Sequence, residues 1–226
     1  IIFLSKLNMG DLKYSHIAEI KSVSSEAFTT ARTNKLQMER KGPITVRLGQ
    51  TRPFLQEVYG RDVPLFIMFR VLGIETDKEI LEYIIGDLDT PLGEKMVKLL
   101  HSSVIDPYIL EHEIYDTESA EAYLEKLPSR AIVASKEKFS KMENDRVNRL
   151  SLLYQALNEN LFPHCGDNFK NKAIYLGYMT RKLLLRVLDM EEDTNKDNFI
   201  NKRIDISGFM LSTLFRDSME QVKRLA

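Results

Sequence analysis

The sequence predicts an α+β fold: a strand-rich N-terminal piece followed by a mostly helical body. Three observations carry this expectation. In "YSHIAEIKS" (14–22), His16, Ala18 and Ile20 alternate with Ile17, Glu19 and Lys21, a period near two. Further on the period changes, and Val147, Leu150, Leu153, Tyr154 and Leu157 recur at three and four, which places them on one side of a helix. Between these regions, paired start and stop signals bracket short helices, as Thr76, Glu79 and Gly86 do around "DKEILEYII".

Taken in order, "IIFLSKL" reads as a strand and "NMGD" as a turn into the second strand. "KLQMER" and "PITVRL" flank "KG", a hairpin, with Thr45, Val46 and Leu48 favouring strand. "VPLFIMFRVLGI" is a compact apolar helix with Pro64 in its first turn and Gly73 as its stop. "TDKEILEYIIG" follows with Thr76 as N-cap. "GEKMVKLLHSS" gives a third, short helix, and "DTESAEAYLEKL" a fourth, capped by Asp116 or Thr117. Residues 134–161 hold the longest helical pattern, broken by "FPHCGDN". "FKNKAIYLGYMTRKLLLRVLDM" is a helix whose broad apolar side predicts burial between layers, and a last helix starts near Ser207. The sequence has no internal repeat, low-complexity tract or Gly/Ser linker.

Composition bounds the function. The 226 residues are 43% hydrophobic, enough for one sizeable core, or for one domain with pieces of another. With 29% charged residues and a net charge of −1, the chain is neither a basic nucleic-acid glove nor an acidic tail, so any nucleic-acid contact must come from a local patch. A single cysteine, Cys165, excludes an internal disulfide framework and cysteine-rich zinc modules, and fits a cytosolic or nuclear setting. No apolar run approaches the ~20 residues of a membrane span, and "IIFL" is too short for a signal-peptide core. The sequence opens inside an apolar strand-like run without Met and closes in a helical pattern, so the expectation is a piece of a longer polypeptide.

Few patterns carry chemistry. "EEDTNKDNFINKRIDISG" (191–208) has Asp193, Asn195 and Asp197 at alternate positions and Ile200 eighth, as in a calcium loop. Such a loop needs Gly at its sixth position and a bidentate Glu at its twelfth, where this chain has Asn198 and Ile204. Lys202 and Arg203 further oppose a cation, and the run reads as an Asn/Asp-rich connection between helices. His16, His101, His112 and His164 lack the i,i+4 pairing of zinc enzymes and read as packed or capping residues. Cys165 has no adjacent catalytic pattern, and carboxylates such as Asp87, Asp89, Glu111 and Glu113 are scattered. Arg181, Lys182 and Arg186 share a helix with Lys170 and Lys172. Together with Lys196, Lys202 and Arg203 they form either an ordinary solvated face or a stripe able to meet phosphates.

Several motifs together point to a family. "LFPHCG" (161–166), "KAIYLGYMTRKLLL" (172–185) and "NKRIDISG" (201–208) resemble, in order and spacing, the second-largest subunit of multisubunit DNA-directed RNA polymerases. The eukaryotic and archaeal form carries a Phe-Leu-Pro-His stretch, a Leu-Gly-Tyr-Met helix and an Asp-His-Phe-Gly-Asn-Lys-Arg stretch ending in Ala-Gly. "YSHIAEIKS" and "DVPLFIMFRVLGIETDKEILEYI" (62–84) resemble the same subunit upstream. Phe199, Asn201, Lys202, Arg203, Asp205 and Gly208 match the third motif. Asn198 in place of His and Ile200 in place of Gly suggest a divergent lineage, such as a large DNA virus or a distant eukaryote.

The resemblance implies an α+β lobe domain over 36–205, inserted into a protrusion domain whose two sides are 1–35 and 206–226. It implies one wall of the DNA cleft, which also docks initiation factors. The implied partners are DNA, the RNA–DNA hybrid, the largest subunit and other polymerase subunits, with no membrane. Lys202, Arg203, Lys196 and Arg181 are the nucleic-acid-facing candidates. For Lys202 and Arg203 an internal ion pair with Asp197 or Asp205 is the alternative. The full enzyme is a nucleotidyltransferase using Mg, with Zn held further along the subunit; this segment is expected to carry no catalytic residue, cofactor or metal. The location is the nucleus for a cellular eukaryote, or cytoplasm or virion for a large DNA virus. Competing readings are a free-standing helical interaction module and a calcium-responsive protein.

Overall fold

The computed structural model describes residues 1–7, 13–23, 32–40, 42–48, 62–126, 146–202 and 206–225. Five strands form one antiparallel sheet in chain order: β1 (Ile2–Lys6), β2 (Tyr14–Ser22), β3 (Arg32–Glu39), β4 (Ile44–Leu48) and β5 (Val63–Pro64). Ile20 lies opposite Ile2 and Asn34, and Leu36 lies opposite Ala18 and Val46. The alternation read from the sequence thus sets the register, because Leu4, Ala18, Ile20, Leu36 and Val46 all face the core. The strand at 14–22 and the hairpin around "KG" form as expected, whereas the turn "NMGD" lies outside the described residues. Two residues of β5 carry no periodicity, so that strand was not legible. Pro64 ends it with φ −53° and ψ 138°, and the helix starts one residue later than expected.

α1 (Leu65–Val71) is buried along its whole length, including Arg70. The Arg70 guanidinium donates to Ile114 O at 2.6 Å, to Glu75 O at 3.3 Å and to the Asp77 carboxylate. These bonds join α1 to the start of α2 (Asp77–Ile85) and to the approach to α5. Thr76 caps α2 by accepting Glu79 N–H at 3.3 Å, and Gly86 ends it at φ +82°. α3 (Pro91–Val104) is longer than the pattern suggested, because Thr90 and Pro91 start it two residues earlier. Its Ser103 Oγ accepts Ile44 N–H at 2.9 Å, and its Ser102 Oγ donates to Gly42 O at 3.0 Å, which fastens the β3–β4 hairpin. α4 (Pro107–Glu111) was not foreseen; it buries only Ile109, too little for a periodic signal. Asp116 caps α5 (Thr117–Lys126), accepting Ser119 N–H at 2.8 Å. In the long helical pattern, α6 (Arg146–Asn160) is described and 134–145 lie outside.

A 3₁₀ turn (Pro163–Cys165) leads to α7 (Phe169–Val187), which packs on β1, β2 and β3 and against α2. Its buried side holds Ala173, Leu176, Met179, Leu183 and Leu184, as its broad apolar pattern requires. The crossing with α2 is tight: a Cβ on Gly177 would sit 2.4 Å from the carbonyl oxygen of Tyr83. The chain forms two compact units, Ile1–Thr194 and Asn195–Ala226. The second holds a 3₁₀ turn (Phe199–Asn201) and α8 (Ser207–Leu225), whose start agrees with the expectation at Ser207. The α+β class holds.

Gly177→Ala should lower stability by about 1–3 kcal/mol through overpacking, outweighing the ~1 kcal/mol that alanine adds to a helix. Thermal unfolding measures it, and an unchanged or raised melting temperature would overturn the close approach.

Candidate nucleic-acid interface

The basic residues of α7 mostly hold the fold. Lys172 is fully buried, and its Nζ donates to Leu157 O, Asn158 O and Leu161 O at 3.3, 3.1 and 2.7 Å. Leu157 O also accepts Leu161 N–H at 2.8 Å, while Asn158 O and Leu161 O are carbonyls left over at the end of α6, so Lys172 is a cap and not part of a solvated stripe. Burial pushes its ammonium down to about 8. Arg181 is exposed, and its Nη1 donates to Ile85 O at 3.0 Å, at the end of α2. Lys182 pairs with Glu191. Arg186 meets Asp189 at 2.8 Å and Asp193 at 2.7 Å with only 12% of its side chain exposed. Lys170 is exposed at the first turn.

Asp193, the first oxygen of the calcium pattern, is occupied otherwise. Its Oδ1 accepts Lys6 N–H at 3.0 Å and Arg186 Nε, and the Arg186 charge holds its carboxyl below the usual range. Thr194 N–H donates to Leu4 O at 2.9 Å. In the second unit, Asn195 Oδ1 accepts Asp197 N–H at 2.8 Å, and Asn198 Oδ1 accepts Ile200 N–H at 3.1 Å. These are turn-forming bonds of short polar side chains, the Asn/Asp-rich connection that the sequence suggested. Asn198 has φ −63°, so no left-handed residue is needed at the sixth position. Among the described residues no group of three or more His, Cys, Asp or Glu side chains is placed to hold a metal.

Lys202 Nζ lies 3.4 Å from Asp197 and 5.9 Å from the Phe199 ring centre. Of the two internal partners considered, Asp197 is the one seen; Arg203 and Asp205 lie outside the described residues. Both side chains of the pair are open to water, 47% and 92% exposed, so the pair contributes roughly 0–1 kcal/mol. The ammonium can therefore exchange Asp197 for a phosphate at little cost. Lys196 is exposed on the same connection.

The "LFPHCG" motif forms a packed corner. Asn34 Nδ2 donates to Asn160 O at 2.8 Å, and its Oδ1 accepts Phe162 N–H at 3.2 Å. Phe162 takes φ +44°. Ser22 Oγ lies 2.7 Å from His164 Nδ1 and accepts His164 N–H at 3.2 Å, and the imidazole packs edge-on to Tyr175 at 4.5 Å. His164 is thus exposed on one side and held on the other by Ser22 and Tyr175. Cys165 Sγ lies 3.4 Å from His164 Nε2, and burial raises the thiol pKa, the opposite of an activated nucleophile. Asn34 and Lys172 gave no sequence signal, since a polar residue in a strand or helix reads as solvated until its partner is known.

His16 is buried on β2, and neither ring nitrogen has a hydrogen-bond partner among the described residues. Burial, then Lys6 and Arg186, lower its pKa from 6.5, opposed by Asp189 and Asp193. The folded state thus takes up this proton less readily than the unfolded chain. The stabilisation is complete above pH 6.5 and is lost as the pH falls through the lowered value. Melting temperature should fall between pH 7.5 and pH 5, and fall less in His16→Met. Lys172→Met should cost about 1–3 kcal/mol, because the buried Leu161 O and the half-buried Asn158 O lose their donor; a melting temperature equal to wild type would show that the cap is dispensable.

The family model described as "RNA polymerase Rpb2, domain 2" matches residues 21–205. The chain is 29% identical over 214 residues to DNA-directed RNA polymerase II subunit RPB2 of Eremothecium gossypii, covering 93% of this chain and 16% of that relative. It is 31% identical over 207 residues to the same subunit of Encephalitozoon cuniculi, covering 90% and 16%. With subunit Rpo2N of the archaeon Methanothermobacter thermautotrophicus it shares 29% over 168 residues, covering 72% and 32%. The chain thus spans about a sixth of the eukaryotic relatives. Matches to eukaryotic and archaeal subunits across most of its length agree with the five motifs read in order, and the chain belongs to the RNA polymerase Rpb2 domain 2 family, the lobe region of second-largest subunits.

Proposed function

We propose that this chain forms part of one wall of the DNA cleft in a multisubunit DNA-directed RNA polymerase. The family match over 21–205 carries the reading. In it, 36–205 is the lobe, and 1–35 and 206–226 are the two sides of the protrusion. The sheet would then run across that division, because β2 pairs with β3. The apolar side of α8, with Phe209, Leu211, Leu214 and Phe215 exposed, suits a segment that packs within a further domain of the polypeptide.

Within this reading Lys202, Arg203 and Lys196 meet phosphates of DNA or of the RNA–DNA hybrid. Arg181 adds the part of its guanidinium not engaged by Ile85. The weak, water-exposed tie of Lys202 to Asp197 supports such an exchange. The contacts are sequence-independent. The wall also docks initiation factors and meets the largest and other subunits. Nucleotidyl transfer with Mg belongs to other segments of the assembled enzyme, as does the Zn. The enzyme is nuclear in a cellular eukaryote, and cytoplasmic or virion-borne in a large DNA virus. No helix among the described residues is long and apolar enough to cross a membrane.

Lys202→Ala and Arg203→Ala, placed separately in the assembled polymerase, should each lower the slope of elongation-complex stability against salt by about one unit. An unchanged slope together with a lower melting temperature would assign the pair to the fold alone.

A further inference from the structure

The corner made by the end of α3, α4 and the start of α5 combines negative charge with exposed apolar surface. Between Lys98 and Lys126 the chain carries seven carboxylates and no Lys or Arg, in a chain whose total charge is −1. Asp106 and Glu121 are buried, but Glu111, Glu113, Asp116 and Glu118 are exposed. Glu75 joins them, accepting the Thr117 hydroxyl at 2.9 Å. Among these carboxylates stand Ile105, Tyr108, Leu110 and Tyr115, each 49–57% exposed. Four large apolar side chains are thus exposed within eleven residues, with Tyr108 and Leu110 on either side of the buried Ile109.

The corner is also held in place. Tyr108 stacks on His112 at 6.2 Å, and His112 meets Tyr123 edge-on at 6.0 Å. The Arg70 guanidinium lies 5.9 Å from the Tyr115 ring centre. Ile114 N–H donates to Ile109 O at 3.1 Å, beside Glu113, which takes φ +49°. A surface fixed in this way loses little freedom on binding. Its charge repels phosphates, so it is unsuited to nucleic acid or to an anionic lipid surface. An arginine side chain suits it twice over, stacking on tyrosine and forking onto carboxylate.

We propose that this corner docks a basic polypeptide segment, rich in arginine or lysine, with apolar side chains between its charges. The inference stands on this surface and goes beyond the assignment of the chain to a cleft wall. The test uses the assembled enzyme and a fluorescent peptide in which arginine alternates with leucine and phenylalanine. Tyr108→Ser with Leu110→Ser, or Glu111→Gln with Glu113→Gln, should weaken binding at least fivefold. An arginine–glycine peptide of equal charge should bind at least fivefold less tightly to the unaltered enzyme. Glu111→Lys with Glu113→Lys should switch preference to the matching glutamate–leucine–phenylalanine peptide, a gain that misfolding cannot produce. Equal binding of the two arginine peptides, affinity unmoved by either weakening pair, or no switch on charge reversal would each overturn the proposal. The salt slope of elongation should not change in these variants, which separates this surface from the phosphate contacts.

Discussion

Where α7 crosses α2, two backbones approach so closely that no side chain fits between them. The Gly177 position facing Tyr83 O leaves 2.4 Å for a Cβ, and this approach sets the spacing of α7 and α2. It seats α7 as a middle layer, with the sheet on one side and α2 on the other. It also brings the polar groups of α7 within reach of the ends of neighbouring elements. Lys172 closes the end of α6, Arg181 the end of α2, and Lys182 and Arg186 hold the 189–193 segment. A lysine buried at the end of another helix is costly to place, and three carbonyls offset that cost only if the spacing between α6 and α7 is kept.

This changes the meaning of the charges in "KAIYLGYMTRKLLLR". In the linear sequence they look like the outer face of an amphipathic helix, and with the downstream lysines they look like a phosphate track. In the fold, Lys172, Lys182 and Arg186 are committed to internal partners and Arg181 partly so. Outside these ties, Lys170 is exposed at the start of α7, and the Lys202–Asp197 pair of the second unit is open to water.

Elements with strong periodicity or paired caps were legible: β2, the β3–β4 hairpin, α2, α5, α7 and the start of α8. The short elements were not. β5 is two residues long and α4 buries a single side chain, so neither could imprint a period on the sequence. The start of α3 was misplaced because Thr90 and Pro91 act through a cap bond and a fixed φ, not through hydrophobicity. Of the candidate site, the Asn/Asp turns and the Lys202–Asp197 pair followed from sequence proximity. The tie of Asp193 to Lys6 joins residues 187 apart in sequence and had no local signature. The same holds for Asn34, whose partners at 160 and 162 are fixed only by tertiary packing.

The bonds from Thr194 N–H to Leu4 O and from Lys6 N–H to Asp193 have a meaning beyond tying a loop down. Among the described residues β1 is an edge strand of its sheet, and a bare edge strand is a template on which another chain can add itself, the first step toward aggregates and swapped dimers. The 193–194 segment occupies that template with the chain's own backbone and a carboxylate, reinforced by Arg186. The cover comes from residues almost two hundred positions downstream, so during synthesis this template can be occupied in this way only once 193 and 194 have been made and α7 has brought them back to the sheet.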